Sequence, residues 1–134
     1  MKLTFVDSGV LIAAVRGSDS VAKSAFAVLD HPERDFASSI FVKLETIPKP
    51  TYLRRDDERE FYEKFFNNVS KWAAIAAVLT GTAFDTACKA GLSVMDSLHL
   101  AAAHQLRCEE FVTTEKPTKP IHRARLLKVT TIQS

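Results

Sequence analysis

Long apolar runs are missing from this sequence. No stretch reaches the roughly eighteen consecutive apolar residues of a membrane-spanning helix, and no charged leader with a cleavage site precedes the first apolar segment. The expectation is a soluble cytoplasmic protein with no membrane association. Cysteine is scarce: Cys88 and Cys108 form no CxxC pattern and have no paired histidine spacing, so free buried thiols are expected rather than a disulfide or a zinc site. Excess charge of one sign is also missing. Eighteen Lys and Arg against sixteen Asp and Glu leave a net charge of +2, too weak by itself to argue for a nucleic-acid partner. Linkers, repeats and low-complexity segments are absent, which points to one domain over residues 1–134. What is present is an ordinary globular composition, 46% hydrophobic and 25% charged, enough for a hydrophobic core.

Periodicity divides the chain into alternating elements. Residues 2–6, "KLTFV", read as a short buried strand followed at once by Asp7, Ser8 and Gly9. Helices are expected over "VLIAAVR", stopped by Gly17, and over 18–30 behind a capping Ser or Asp. "FASS", 36–39, is a strand running into the helix "IFVKLETI", which Pro48 and Pro50 end or bend. Residues 56–69 form a surface helix with acidic residues in the first turn. "KWAAIAAV", 71–78, reads as a strand, 80–90 as a helix ended by Gly91, and Val94 to about Leu106 as a helix capped by Ser93. Two more strands follow, 110–114 and 126–132, separated by the Pro-rich loop "EKPTKP". This alternation predicts an α/β domain, a mostly parallel central sheet with helices on both faces.

In such sheets, sites form outside the carboxyl ends of the strands where the strand order reverses. Four acidic residues are expected there. Asp7 follows the first strand and Glu115 follows the 110–114 strand; Glu45 lies in the helix after the second strand; Asp96 opens the apolar helix "VMDSLHLAAA". Each has a blander reading: Asp7 as a helix cap, Glu45 as a solvated surface residue, Asp96 as a cap in competition with Ser93, Glu115 as a loop residue. Together at one edge they would repel strongly and call for cations. Hard oxygen donors with no His or Cys cluster select Mg²⁺ or Mn²⁺, and one or two such ions (~3.5–4 Å apart when paired) can orient water and stabilise charge on a phosphodiester.

The segments "TFVDSGVLIAA", "ASSIFVKLETI", "GLSVMDSLHLAAA" and "FVTTEK" resemble, in order and over essentially the whole chain, the four acidic motifs of PIN-domain proteins, the family that includes the VapC toxins. The resemblance implies a three-layer α/β/α sandwich and a Mg²⁺- or Mn²⁺-dependent endoribonuclease. It also implies RNA as substrate, an antitoxin protein as partner, and a homodimer. Carried over residue by residue, the metal and catalytic site is Asp7, Glu45, Asp96 and Glu115, with Ser8 matching the small hydroxyl residue after the first Asp and Thr113 the Thr before the fourth acidic position. The chain departs from the pattern at Gly9, where Asn or Ser is common, at Glu115, where Asp is usual, and in the "KPTKP" continuation. Those departures motivate an alternative, a catalytically weakened PIN-like domain acting as an RNA- or protein-binding module. Phosphoryl transfer on a receiver-like or dehalogenase-like fold fits less well, because no second acidic residue adjoins Asp7.

Asp96-x-x-His99 has a spacing compatible with paired ligands, but a His is common at that place in the family without being a ligand, so His99 is expected to pack or to hydrogen-bond. His104 and His122 are expected to be solvated. Lys43, Lys49, Arg54 and Arg55 flank the Glu45 helix and Lys116 and Lys119 adjoin Glu115, a pattern that suits a phosphate-contacting rim. Phe61, Phe65, Phe66 and Trp72 have the spacing of a core or of a partner-docking face.

Overall fold

The computed structural model describes residues 1–133. Its centre is a five-stranded sheet, every neighbouring pair parallel: β1 (Lys2–Val6), β2 (Arg34–Ser38), β3 (Lys71–Trp72), β4 (Glu110–Thr113) and β5 (Lys128–Thr131), in the order β3-β2-β1-β4-β5. Parallel strands need crossovers, and these are α1 (Ser8–Arg16) and α2 (Asp19–Leu29), then α3 (Ile40–Thr46), α4 (Pro48–Tyr52) and α5 (Asp56–Asn67), then α6 (Ala77–Ala90) and α7 (Val94–Gln105). A 3₁₀ turn, Pro120–Arg123, joins β4 to β5. Right-handed crossovers moving one way along the sheet lay α1, α2 and α5 on one face, and those moving the other way lay α6 and α7 on the opposite face. The expected α/β/α sandwich is therefore the observed one.

Burial follows the layers. β4 is buried along its whole length, β1 and β2 over their last three residues, whereas β3 is exposed at the sheet edge. Phe5 and Phe111 stack at 5.6 Å between neighbouring strands, and Tyr62, Leu11, Leu79, Leu100 and Ile121 close the core on both sides. The amino ends of the strands are tied by a charge cluster. Glu110, 3% exposed in its side chain, accepts from Arg34 at 2.8 Å and Lys2 at 3.3 Å, and Thr130 donates to its other oxygen.

Several expectations need adjustment. β2 begins two residues early, at Arg34, and Ser39 caps α3, accepting from the Phe41 amide. Pro48 does not end the helical stretch; it starts α4 after a break at Ile47, the position where a missing amide costs nothing. The 71–78 strand shrinks to two residues, because the alanine-rich remainder has poor strand propensity and Ala77 already opens α6. Residues between are held by side chains instead, the Ala74 amide and carbonyl both bonding to Gln105. Cys108 is buried as expected but Cys88, on the outer side of α6, is exposed. Among the described residues, no helix is long and apolar enough to cross a membrane.

Candidate metal centre

The chain passes up β1, turns back through β2 and β3, and later adds β4 on the other side of β1, so the reversal of strand order lies at the carboxyl ends of β1 and β4. Asp7 immediately follows β1 there, and Glu115 stands two residues beyond β4. Although Asp7 precedes α1 in the cap position, its side chain makes no capping bond. It turns into the cleft instead, 7% exposed, with Oδ2 accepting from Thr113 Oγ1 at 2.9 Å and Oδ1 facing Ser8 Oγ at 3.4 Å. Thr113 Oγ1 in turn accepts from the Glu115 amide at 3.0 Å, tying the start of the Glu115 loop to Asp7.

Glu45 arrives from α3. Its Oε1 accepts from Ser8 Oγ at 2.9 Å and lies 2.5 Å from His99 Nε2, which is also 3.9 Å from Asp7 Oδ1. Asp7, Glu45 and His99 each present a ligand atom within 4.8 Å of the other two. The His99 hydrogen bond, assisted by Ser8, holds the Glu45 carboxyl below the usual carboxylate range against the opposing effect of burial.

Asp96 sits in the first turn of α7. Ser93 accepts from its amide at 3.3 Å and so does the capping of α7. Burial, followed by repulsion from Asp7 and Glu115, pushes that carboxyl up, with Ser93 opposing the shift. The four acidic residues therefore occupy one edge of the sheet: Asp7 and Glu45 share Ser8, and Asp96 senses both Asp7 and Glu115. Asp96 and Glu115 lie outside the tightest group, which His99 completes. Among the described residues, no Lys or Arg stands within 4.0 Å of any of the four carboxylates.

His99 is 1% exposed, which agrees with a packed, hydrogen-bonding role, yet it is more central to the cleft than that reading conveys. The clue was present, since three residues of helix put His99 on the same face as Asp96. His122 is not simply solvated; its Nε2 donates to the Glu115 carbonyl at 3.0 Å. Lys43 is withdrawn from the cationic rim, its Nζ lying over the rings of Trp72 at 5.2 Å and Phe66 at 5.7 Å, while Lys49, Arg54, Arg55, Lys116 and Lys119 are exposed. The absence of a side chain at Gly9 has a local cause: a Cβ there would overlap Thr114 Oγ1, so the threonine hydroxyl occupies that space.

A carboxylate cluster that runs from buried Asp7 to exposed Glu45, with no Lys or Arg partner among the described residues and mostly hard oxygen donors, fits a divalent cation. Comparison with known proteins bears on family and fold. The model of the PIN domain family matches residues 4–117. No curated protein matches the chain. Among solved structures, it is similar to a toxin–antitoxin complex from Klebsiella pneumoniae, with a TM-score of 0.71, 16% identity and 98% of each chain covered. It is also similar to VapBC2 from Rickettsia felis bound to a promoter DNA fragment, with a TM-score of 0.70, 13% identity and 96% of this chain and 98% of that one covered. DNA-bound VapBC from Salmonella typhimurium gives a TM-score of 0.70 at 15% identity, over 98% and 99% of the two chains. At these identities the likeness is one of fold.

Proposed function

The chain belongs to the PIN-domain family, and from that premise we propose that it is a Mg²⁺- or Mn²⁺-dependent endoribonuclease acting in the cytoplasm as the toxin of a toxin–antitoxin pair. The observation that carries this reading is the carboxylate cleft at the carboxyl ends of β1 and β4, which has no Lys or Arg partner within 4.0 Å among the described residues. Asp7, Glu45 and Asp96 would hold the cation, with Glu115 completing the site. The bound cation would supply the positive charge that orients water and offsets the charge developing on the phosphodiester. The chain's own residues do the rest. Thr113 holds the Asp7 carboxylate, and Ser8, nearer Glu45, bridges the two carboxylates with its single hydroxyl proton. Glu115, at the rim, would orient the attacking water; water adds to phosphorus as one phosphorus–oxygen ester bond breaks, and a proton from the water goes to the departing oxygen.

RNA approaches over a rim that carries unpaired charge. Lys49, Arg54 and Arg55 are exposed and have no carboxylate within 4.0 Å among the described residues, and Tyr52, 87% exposed, offers a stacking face between them. α4 continues the helix that bears Glu45, so this rim adjoins the cleft. The antitoxin reading is supported by the toxin–antitoxin neighbours and by a cleft of about 510 Å³ at the amino end of β2, walled by Phe26, Phe36, Phe61 and Phe65 and edged by charges of both signs, Arg34 and Lys64 with Asp30 and Asp35. A homodimer is supported by the exposed apolar side chains of Ile75, in the segment between β3 and α6, and of Val78 and Phe84 on α6.

The binding-module alternative is carried by Gly9 and Glu115; Thr114, filling the space beside Gly9, restores a hydroxyl at that place and favours the catalytic reading. The test is cleavage of a labelled single-stranded RNA. The wild type should cut it in Mg²⁺, and Asp96→Ala should lose cleavage while keeping a cooperative melt. Undiminished cleavage by that variant would sink the assignment.

A further inference from the structure

Glu45 is the weak member of the cleft. Its side chain is 32% exposed, and a free glutamate in that setting keeps much of its rotamer freedom. Ser8 alone is a poor restraint, because one hydroxyl proton serves two carboxylates, Glu45 at 2.9 Å and Asp7 at 3.4 Å. His99 provides a donor that is not shared in this way. Its ring is buried against Phe5, the two ring centroids 6.3 Å apart, so the imidazole cannot follow Glu45 outward. Both donors converge on Oε1, which leaves Oε2 with no protein donor among the described residues.

On the reading of this cleft as a divalent-cation site, we propose that His99 is a positioning residue: it pins Oε1 of Glu45 so that Oε2 is presented to the cation shared with Asp7. His99 is then no ligand itself. The ring nitrogen that faces Glu45 is also the one nearer Asp7, and an Nε2 that donates its hydrogen has no lone pair left for a metal; the other nitrogen, Nδ1, is buried and turned elsewhere without a partner. An imidazole that holds a ligating carboxylate is worth about 10- to 100-fold in metal affinity where such outer partners have been removed.

The test is titration of the full chain with Mn²⁺ and with Co²⁺, using wild type, His99→Leu, His99→Gln and Asp7→Asn, each checked by a thermal melt in chelator. His99→Leu is expected to weaken Mn²⁺ binding by about 10-fold or more. His99→Gln, whose amide can still donate to Glu45, should recover most of the loss. The ratio of Mn²⁺ to Co²⁺ affinity should be the same in all variants that bind, since no nitrogen ligand is lost. Wild-type Mn²⁺ affinity in His99→Leu would overturn the proposal. So would a selective loss of Co²⁺ in His99→Gln, which would make His99 a ligand. If His99→Leu does not fold, His99→Gln against the shorter His99→Asn carries the same comparison, and equal affinities there count against positioning. Asp7→Asn separates the two levels: unchanged Mn²⁺ binding in that variant, or none in the wild type, removes the metal-site reading itself, whereas loss in Asp7→Asn with retention in His99→Leu removes only the role of His99.

Discussion

Individual side chains decide whether this cleft is a cap, a surface or a site. Asp7 is the clearest case, because its position before α1 predicts capping and its hydrogen bonds to Ser8 and Thr113 show that it does something else. Gly9 is the complementary case. A side chain there would overlap Thr114 Oγ1, so Gly9→Asn is expected to destabilise the fold by roughly 1–3 kcal/mol, as overpacking does, and Thr114→Ala in the same chain should recover much of that loss. Urea unfolding of the two single variants and the double variant measures the coupling. Strict additivity would show that the two positions do not compete for space. Asp96 gives a pH-dependent expectation. Burial and its acidic neighbours raise its folded pKa, so its ionisation costs stability at neutral pH and costs nothing below the unfolded value near 3.8. Asp96→Asn should therefore melt higher than wild type at pH 7 in chelator, with the gap closing toward pH 3. Asp7 and Glu115 could be picked out of the sequence because each follows a strand at this sheet edge and Asp96 because it stands in the first turn of α7, whereas Glu45, near the end of α3, was legible mainly through the family resemblance. His99 against Glu45 could not, since it joins residues 54 apart through the meeting of α3 and α7.

The strands and helices were largely readable where pattern and punctuation agree. β1, α7 and β4 have apolar runs bounded by a cap or an acidic residue, and Gly91 ends α6 in the left-handed conformation that glycine favours, φ 70°. The 71–78 segment was not readable, because alanine is compatible with an edge strand, a loop and a helix start, and only pairing with Ala37 and Ser38 decides it. Glu110 shows what the sheet adds to a residue. On its own it is an acidic residue opening an apolar strand. In register, β1, β2 and β5 bring Lys2, Arg34 and Thr130 around it; burial opposes ionisation, but Thr130, Arg34 and Lys2 outweigh it and hold the carboxyl at about 2. A folded pKa of about 2 against 4.5 unfolded corresponds to roughly 3 kcal/mol, present above pH 4.5 and lost as the pH falls toward 2. Glu110→Gln should lower stability at pH 7 by about that order and differ little from wild type near pH 2. A constant gap across that range in chemical unfolding would contradict the assignment.

Taken whole, the molecule has two ends with opposite electrostatic treatment. At the amino ends of the strands Glu110 is neutralised by cations, while at the carboxyl ends the carboxylates are left without Lys or Arg partners among the described residues and the cations stand apart on the rim. That separation suits a polyanion that must be held near, but not by, the acidic cleft. Arg54→Ala with Arg55→Ala should weaken binding of single-stranded RNA and reduce the slope of log affinity against log salt by up to about 1.4, two phosphate contacts at ~0.7 each. Fluorescence anisotropy at several salt concentrations reads both quantities, and an unchanged slope would move the RNA to another face. The net charge of +2 conceals this arrangement, because composition sums what the fold separates. The most direct measurement of the central reading is the initial rate of single-stranded RNA cleavage against Mg²⁺ concentration, for wild type and Asp7→Asn of equal purity and equal melting behaviour. The wild-type rate should rise from background in chelator to saturation, and Asp7→Asn should stay at background throughout. Cleavage that persists in chelator, or a wild-type rate and Mg²⁺ response in Asp7→Asn, would contradict it.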